Sequence, residues 1–274
     1  MSAPEPATTA PSSSSLAPRI PGVPADRRRA IVVGASSGMG AALVRQLAAE
    51  GYRVAALARR PEALEAVASA AAADAGRTGG EVLTRVHDVA AVESVPALFE
   101  ELVRELGGLD LLVFAAGIMP AVEPQEYDTE KDLSMVQVNL MGCIAWGNEA
   151  ARLFRTQRSG TLVGISSVAG DRGRRGAPVY GTTKAAMNTY LESLRNRLSE
   201  HGVRVVTIKP GFVATAMTEG MDGLFWLISA EEAASQILRA ARSSAQVRYV
   251  PRQWWLLMTV IRCIPSFLFR KLSV

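Results

Sequence analysis

The sequence predicts one doubly wound α/β domain, in which a parallel β-sheet carries helices on both faces. Short β-branched runs, of which residues 30–33 are the first, alternate with longer segments whose apolar residues recur at helical spacing. The connections between them are short, which is typical of the strand–helix–strand units that build a parallel sheet. The 274 residues suffice for one large domain, and no part of the pattern indicates a second.

Each element has its own signal in the sequence. The strands are short runs rich in Val, Leu and Ile, and the helices carry apolar residues three or four positions apart. The first helix illustrates this, because Leu43, Val44 and Leu47 share one face and Gly51 follows its end. The predicted strands are 30–33, 52–58, 81–86, 109–115, 160–165 and 204–209, and Tyr249 and Val250 close the sheet. The predicted helices are 39–50, 61–73, 92–106, 132–155, 179–200 and 230–242.

Composition argues against several classes of function. The formal net charge is only +4, and the basic residues lie in short scattered groups without interleaved aromatic residues, which argues against nucleic-acid binding. Cys143 and Cys263 are far apart in the sequence, and the chain has only two histidines. Neither a disulfide framework nor a metal site is therefore predicted, and a reducing, cytoplasmic environment is expected.

The sequence divides into three segments. Residues 1–28 are rich in Pro, Ser, Ala and Thr without apolar periodicity, so they are expected to form a disordered tail. No basic region followed by an apolar stretch opens the sequence, so no secretory signal is predicted. Residues 29–250 form the α/β domain, and residues 251–274 are a separate apolar segment.

A glycine-rich loop joins the first predicted strand to the first helix. It reads G-A-S-S-G-M-G from Gly34 to Gly40. Glycine is needed where a turn is tight or where backbone approaches a phosphate, and the amides and dipole at a helix start hold the pyrophosphate. Three glycines can also form an ordinary turn, but their place between strand and helix favours a dinucleotide site in a Rossmann-type fold. The expected contacts in this loop are Gly34, Ser36, Ser37, Gly38, Met39 and Gly40.

The most specific pattern in the sequence is S-x12-Y-x3-K, formed by Ser167, Tyr180 and Lys184. Residues four apart on a helix lie on one face, within reach of a common ligand. Free tyrosine titrates near about 10, so a site that exchanges its proton at neutral pH must supply on the order of 4 kcal/mol. The Lys184 ammonium and a positive nicotinamide ring are both expected to favour the phenolate.

The glycine spacing G-x-x-x-G-x-G, together with this S-Y-K pattern, resembles the short-chain dehydrogenase/reductase family over about residues 29–250. The resemblance implies an enzyme that moves a hydride between nicotinamide and a carbonyl or alcohol. It implies that Tyr180 transfers the proton, that Lys184 also bonds the nicotinamide ribose, and that Ser167 positions the substrate oxygen. Asn139, in V-N-L-M-G, matches the asparagine that holds a water in the family's proton relay.

The resemblance also implies cofactor contacts after three other strands. The residues after the third strand would position the adenine ring, and those after the fourth stand where the family has Asn-Asn-Ala-Gly. Phe114 and Ala115 replace both asparagines of that element. A Pro-Gly element after the sixth strand would fix the carboxamide and phosphate side of the cofactor. These contacts are Asp88, Val89, Ala115, Ala116, Gly117, Pro210, Gly211, Val213 and Thr215, in addition to Tyr180 and Lys184.

The end of the second predicted strand favours NADP(H) over NAD(H). Binding of NAD usually needs an acidic residue there to accept from the ribose hydroxyls. Arg59 and Arg60 stand there instead, and guanidinium groups can fork onto a 2′-phosphate. The alternative interpretation is that both arginines are simply solvated in a loop.

Two apolar segments bear on the substrate. Residues 217–229 lie where the family closes a loop over its substrate, and they suit a hydrophobic molecule, a subunit interface or the core equally. Residues 254–269 are too short to span a bilayer and are interrupted by Arg262 and Pro265. Three places are open to them: a membrane surface, with tryptophans at the headgroup level, the substrate cleft, or a partner subunit in a homodimer or homotetramer.

Residues 171–175, 179–184 and 250–271 are similar to the subgroup of the family that reduces decaprenylphosphoryl-2-keto-pentose in bacterial cell-wall arabinan synthesis. This similarity implies a ketone on a hydrophobic or lipid-linked molecule as substrate. Two other interpretations stay open: a reductase of a 3-oxoacyl thioester or a xenobiotic ketone, and a non-catalytic NADP-binding sensor or scaffold. Proteins of the last kind typically lose the Tyr or the Lys, and this sequence keeps both.

Overall fold

The computed structural model describes residues 28–123 and 125–272. Its seven strands are β1 (Arg29–Val33), β2 (Arg53–Ala58), β3 (Glu81–Val86), β4 (Leu111–Phe114), β5 (Gly160–Ile165), β6 (Val203–Pro210) and β7 (Val247–Val250). They form one sheet in the order β3-β2-β1-β4-β5-β6-β7, and every neighbouring pair is parallel. The tail predicted for residues 1–28 lies outside the described residues, except for Arg28.

The helices cover both faces of this sheet. They are α1 (Gly38–Ala49), α2 (Pro61–Ala75), α3 (Val95–Leu106), α4 (Thr129–Met135), α5 (Gly142–Gln157), α6 (Pro178–Leu198), α7 (Ala230–Arg242), α8 (Trp254–Cys263) and α9 (Ser266–Phe269). Successive side chains of a strand point to opposite faces, so Val32 belongs to the core under α1, α2 and α7, and Ile31 to the core under α3, α5 and α6. The doubly wound, Rossmann-type fold predicted from the sequence is confirmed.

The order of the strands reverses between β1 and β4, which are neighbours in the sheet although two strands separate them in the chain. In open α/β sheets, ligands bind in the crevice outside the carboxyl ends of the strands at such a switch point. The last residues of the two strands, Val33 and Phe114, are register partners, so the loops that follow them meet. A Cβ on Gly34 would lie 2.4 Å from the backbone nitrogen of Ala116, so only glycine fits there.

One region differs from the sequence prediction, and one to which the sequence analysis assigned no helix or strand is helical. The helix expected over residues 132–155 begins earlier, because the Asp128 carboxylate accepts from the amides of Glu130 and Lys131, and a π-helical segment, Val136–Met141, separates α4 from α5. The apolar segment 254–269 folds as two short helices, α8 and α9, with Pro265 between them. Within residues 28–123 and 125–272, no helix is both long and apolar enough to cross a membrane.

Candidate active site

The loops at the carboxyl ends of β1, β2 and β4, with the segment after β6, enclose a groove of about 640 Å³. Small-molecule pockets in proteins typically measure about 300–1,000 Å³, so the groove is large enough for a cofactor. It collects residues from five parts of the chain that the sequence had nominated for cofactor binding. They are Gly34, Ser36, Ser37, Gly38, Met39, Gly40, Arg59, Arg60, Val89, Ala115, Ala116, Gly117 and Thr215.

The glycine-rich loop is shaped to accept a phosphate. Gly38 has a φ of +52°, and a Cβ on it would lie 2.9 Å from Cγ2 of Thr215, which therefore sits directly against the loop. The Ser37 side chain makes no capping hydrogen bond at the start of α1. The amides of the first helical turn are thus not bound by a capping group and remain suited to an anion. This loop fits the pyrophosphate of a dinucleotide.

The two arginines after β2 are placed at one end of the groove. Nη2 of Arg60 donates to the Ser36 hydroxyl at 3.1 Å, which ties the guanidinium to the glycine-rich loop. Both Arg59 and Arg60 are exposed, and within the described part of the chain neither forms an ion pair with a carboxylate. Their positive charge is therefore available to an anionic group in the groove.

Tyr180 and Lys184 lie one turn apart on α6, and both side chains are buried. The Lys184 ammonium donates to the carbonyl of Ile165 at 2.9 Å and lies 5.7 Å from the centre of the Tyr180 ring. Ser167 follows β5, its hydroxyl accepts from the amide of Ala169 at 3.1 Å, and it lies close enough to Tyr180 to lower the pKa of that phenol. The three residues of the S-Y-K pattern therefore form one cluster.

Asn139 completes this cluster from the π-helical segment. Its side chain is fully buried, with Oδ1 accepting from the amide of Ile118 at 2.7 Å and Nδ2 donating to the Ile118 carbonyl at 3.0 Å. Nδ2 also lies 3.2 Å from the Thr183 hydroxyl, so Asn139 ties α6 to the chain after β4. A Cβ on Gly117 would lie 3.4 Å from both the Asn139 Oδ1 and the Lys184 Nζ. The absent side chain thus leaves the groove open to these two groups.

Burial sets the protonation states in the cluster. It raises the pKa of Tyr180 above its ordinary value, and the hydrogen bond with Ser167 acts in the opposite direction. Burial lowers the pKa of Lys184 to about 8 and raises that of the neighbouring Cys143 thiol to about 12. The Lys184 ammonium, which the sequence analysis expected to favour the tyrosine phenolate, donates one hydrogen bond to the Ile165 carbonyl. At neutral pH Tyr180 therefore holds its proton, as a proton donor must.

Six predicted cofactor contacts do not line the groove. Lys184 lies next to Gly117, Tyr180 is buried one turn before Lys184 on α6, and the Asp88 carboxylate accepts from the amide of Ala90 at 3.0 Å. The three others belong to the segment that closes β6. They are Pro210 at the strand end, Gly211 under the Trp254 ring, and Val213, which is buried and bridges to Ile228. A role in cofactor binding stays a prediction for these six, as it does for the thirteen residues that line the groove.

The groove also includes residues that the sequence analysis missed. Ile118, Met119 and Pro120 directly follow Gly117, so their proximity to the site could have been inferred from the strand end. Lys131 and Ser134 on α4 had no such signal in the sequence, because only the tertiary structure brings that helix close to the groove. His87 is a further case: it is buried, burial lowers its pKa, and its ring meets Trp146 edge-on at 5.5 Å. The missed residues are Val33, Leu57, Ala58, His87, Ile118, Met119, Pro120, Lys131, Ser134, Val138 and Ala216, whereas Met217 belongs to the loop at 217–229 that the sequence placed over the substrate.

An aromatic cluster adjoins the Ser167 side of the site. The Trp254 ring stacks on Phe225 at 5.0 Å and meets Phe212 and Trp226 edge-on at 5.4 and 5.6 Å. Val168, the neighbour of Ser167, belongs to the same buried cluster as Trp254. The C-terminal helices and the loop at 217–229 thus meet beside the site.

Comparison with known proteins identifies the family. The sequence pattern of the short chain dehydrogenases matches residues 28–222. The chain is 34% identical over 191 residues to a 3-oxoacyl-(acyl-carrier-protein) reductase of Bos taurus, covering 70% of this chain and 78% of that protein. It is 38% identical over 192 residues to an uncharacterized oxidoreductase of Myxococcus xanthus, covering 70% and 74% respectively.

Solved structures show the same relationship. An actinorhodin polyketide ketoreductase determined with NADPH superposes with a TM-score of 0.73 at 25% identity, covering 83% of this chain and 97% of that chain. A short chain dehydrogenase/reductase family protein superposes with a TM-score of 0.69 at 27% identity, covering 81% and 94%. With the sequence match, the fold and the clustered S-Y-K residues, the chain belongs to the short-chain dehydrogenase/reductase family and is an NAD(P)-dependent oxidoreductase.

Proposed function

We propose that this protein is an NADP(H)-dependent reductase that transfers a hydride to a ketone carried on a hydrophobic or lipid-linked molecule. The observation that carries the proposal is the position of Tyr180, close to Ser167 and one helical turn from Lys184, beside a groove large enough for a dinucleotide. We place the enzyme in the cytoplasm, as a homodimer or homotetramer. The free thiols of Cys143 and Cys263 are consistent with a reducing compartment.

The cluster has the groups that carbonyl reduction requires of a protein. The bound cofactor supplies the hydride. The Tyr180 hydroxyl donates its proton to the carbonyl oxygen, since burial keeps this group protonated until a stronger base is presented. The Ser167 hydroxyl bonds the same oxygen and holds it in line with Tyr180. Lys184 keeps a positive charge 5.7 Å from the ring, which favours the phenolate once the proton has left.

Asn139 and Cys143 act on this cluster indirectly. Asn139 fixes the backbone of Ile118 with two hydrogen bonds, and this holds the chain after β4 against Lys184. The Cys143 thiol stays neutral beside the ammonium, because burial raises its pKa to about 12. No second charge therefore competes for Lys184, and its ammonium, which donates one N–H to the Ile165 carbonyl, keeps two others for a ribose hydroxyl.

A preference for NADPH over NADH is supported by charge. The 2′-phosphate of NADP carries negative charge at neutral pH, and Arg60 is held beside the glycine-rich loop by its bond to Ser36. Charge-assisted hydrogen bonds from guanidinium to phosphate are about twice as strong as neutral ones. NAD binding would use a carboxylate at the end of β2 to hold the ribose, but positions 59 and 60 are both arginine.

A hydrophobic substrate is supported by the side chains around Ser167. The loop at 217–229 and α8 contribute three aromatic rings, which form one cluster with Phe212 after β6, and Phe225 and Trp226 remain 46% and 42% exposed. Exposed aromatic surface beside a reaction site suits an apolar group of the substrate, since water leaves both surfaces when they meet. The apolar loop also excludes water from the carbonyl when it closes.

A second candidate is a reductase of 3-oxoacyl thioesters. It is favoured by the Bos taurus relative, whose name records that activity, and by the polyketide ketoreductase structure. The same tyrosine and serine would serve it, because the reacting group is again a ketone. A small xenobiotic ketone would make less use of the aromatic surface.

Steady-state kinetics on the purified full-length protein test the proposal. NADPH oxidation is followed with ketones that share one head and carry no chain, a medium chain or a long alkyl chain, and with a 3-oxoacyl thioester. We expect kcat/KM to rise with chain length and to be higher with NADPH than with NADH. A higher kcat/KM with NADH contradicts the cofactor assignment. Equal values for all chain lengths contradict the hydrophobic substrate, and a thioester preferred over every simple ketone identifies the second candidate.

A further inference from the structure

Helix α8 is apolar on both of its faces except at Arg262, near its end. Trp254, Met258 and Ile261 point inward and are buried, whereas Trp255 and Leu256 on the outer face are 57% and 63% exposed. The outer stripe continues through Thr259, Val260 and Cys263, which are exposed and uncharged. A surface helix normally turns a polar face to water, and one that is apolar all round is normally covered. The outer face of α8 is therefore a surface that needs a partner.

The exposed apolar surface extends beyond α8. Phe267, Leu268 and Leu272, in and after α9, are 60%, 46% and 42% exposed. Scattered exposed apolar residues are normal, but a contiguous group within one short segment marks an interaction surface. We call this group the C-terminal face. Its members are Trp255, Leu256, Val260, Phe267, Leu268 and Leu272.

Within its own segment, the C-terminal face carries positive charge alone. Residues 251–272 contain four basic side chains, all exposed, and no Asp or Glu. Within the described part of the chain, none of the four forms an ion pair with a carboxylate. These cations are Arg252, Arg262, Arg270 and Lys271.

A second basic segment is attached to this face. Arg172 donates to the carbonyl of Arg262 at 3.1 Å and lies over the Phe269 ring, 4.6 Å from its centre. Arg175 donates to the carbonyl of Arg270 at 2.9 Å. Within the described residues, neither arginine forms an ion pair with a carboxylate. The loop between Ser167 and Tyr180 thus adds its positive charge to the same surface.

We propose that the C-terminal face docks onto the surface of an anionic lipid bilayer. Charge complementarity identifies the partner, because exposed cations without carboxylates meet anionic headgroups while the apolar side chains between them enter the acyl boundary. Trp255 suits the headgroup level, since tryptophan places an apolar ring and a polar N–H at a wet interface. α8 has ten residues, so it lies along the surface rather than crossing the bilayer.

Docking brings the reaction site to the membrane. The inner side of α8 contacts the loop at 217–229 through the stacked pair of Trp254 and Phe225, and that loop adjoins the site. A lipophilic molecule could pass from the bilayer to Tyr180 along this apolar contact without crossing water. The docking itself does not depend on which carbonyl is reduced.

Flotation of the full-length protein with vesicles tests the proposal. Vesicles of phosphatidylcholine alone are compared with vesicles that also contain phosphatidylglycerol, at low and high salt. We expect binding only to the anionic vesicles, and a fall in binding as salt screens the charges. Replacing both Trp255 and Leu256 with Ser should lower the fraction bound by at least about tenfold. The control is Leu133→Ser on α4, because Leu133 is 63% exposed, as is Leu256.

Charge reversal provides the second comparison. Replacing Arg270 and Lys271 with Glu should abolish binding, whereas the same change at Arg155 and Arg239, exposed on α5 and α7, should weaken it much less. Light scattering after gel filtration is measured on every variant. Absence of wild-type binding to anionic vesicles, or equal loss in test and control variants, overturns the proposal. A Trp255/Leu256 variant that binds vesicles like the wild type but loses its oligomeric state overturns it too, and assigns the C-terminal face to a second copy of the chain.

Discussion

Gly211 leaves the space that the indole ring of Trp254 occupies. A Cβ on Gly211 would lie 1.9 Å from Nε1 of Trp254 and 2.0 Å from Cε2. Gly211 follows β6 in the Pro-Gly element, and Trp254 is the first residue of α8. The similarity to the family assigned Gly211 to cofactor binding. In this chain the lack of a side chain at Gly211 also lets Trp254, and with it α8, pack beside Ser167.

Gly211→Ala should therefore destabilise the protein. The indole ring must move to admit the methyl group, and overpacking of this kind typically costs about 1–3 kcal/mol. The free energy of unfolding from urea titration measures the effect. Gly173→Ala is the matched control, because no atom lies within 4 Å of a Cβ at that position. Equal stability of the two variants would show that the Trp254 ring is not held against Gly211.

Asp171 forms a buried ionic network beneath α8. Its carboxylate lies 2.5 Å from the Lys209 ammonium and accepts from the Tyr249 hydroxyl at 2.6 Å, and its side chain is only 2% exposed. Asp171→Asn should cost about 3–5 kcal/mol, since the Lys209 charge would stay buried without its partner. Adding Lys209→Met should recover part of this loss in the same urea titration. A single variant within about 1 kcal/mol of the wild type would contradict the network.

Lys184 predicts a pH dependence of stability. Its pKa is about 8 in the folded protein and near 10.5 in the unfolded chain, so between these pH values the unfolded chain binds more protons. The penalty for burying the charge is present below pH 8 and disappears as pH rises to 10.5, which stabilises the fold by about 3 kcal/mol across this window.

The difference between wild type and Lys184→Met isolates this contribution. Cys143 and Tyr180 act in the opposite direction at high pH, because burial raises both pKa values, but they are present in both proteins. The wild type should gain stability relative to Lys184→Met as pH rises above about 8. A difference that stays constant with pH would mean that the Lys184 pKa is not lowered.

Arg60 should determine cofactor preference. Arg60→Ala removes the guanidinium that Ser36 positions, and a charge-assisted hydrogen bond contributes about 1.5–3 kcal/mol. The ratio of kcat/KM with NADPH to that with NADH should therefore fall by about tenfold or more, with the NADH value little changed. Arg239→Ala, which removes an exposed arginine on α7, is the control. An unchanged ratio in Arg60→Ala would mean that Arg60 points into solvent and does not contact the 2′-phosphate.

The fold was predictable because its signals are local. β1 and α1 follow from a β-branched run and from apolar residues at helical spacing. The folded chain then explains why the loop between them carries glycines, since a side chain would clash there. Gly34 approaches Ala116 and Gly38 approaches Thr215, residues far away in the sequence. The S-Y-K pattern was also readable, because Tyr180 and Lys184 are neighbours on one helix.

Other features depend on contacts that no local pattern records. The π-helical segment around Asn139 arises within what reads as one continuous helix, and such segments are frequent at functional sites. The pKa of Lys184 depends on its burial at the ends of β4 and β5. The packing of the Trp254 ring depends on Gly211, 43 positions earlier in the chain. Each of these needs the tertiary structure, since the partner residues are distant in sequence.

The most direct test of the catalytic assignment is single-turnover reduction by Tyr180→Phe. The variant keeps the ring but lacks the proton donor, and general acids contribute about 10²–10⁴-fold to rate. With saturating NADPH and a ketone that the wild type reduces, we expect the rate of NADPH consumption to fall by at least about 10²-fold, with NADPH affinity unchanged. Tyr190→Phe, the same substitution on α6 at a hydroxyl that donates to the Ile144 carbonyl instead, should keep wild-type turnover. A Tyr180→Phe enzyme that retains more than about a tenth of the rate, a loss below about 1.4 kcal/mol, would contradict the account.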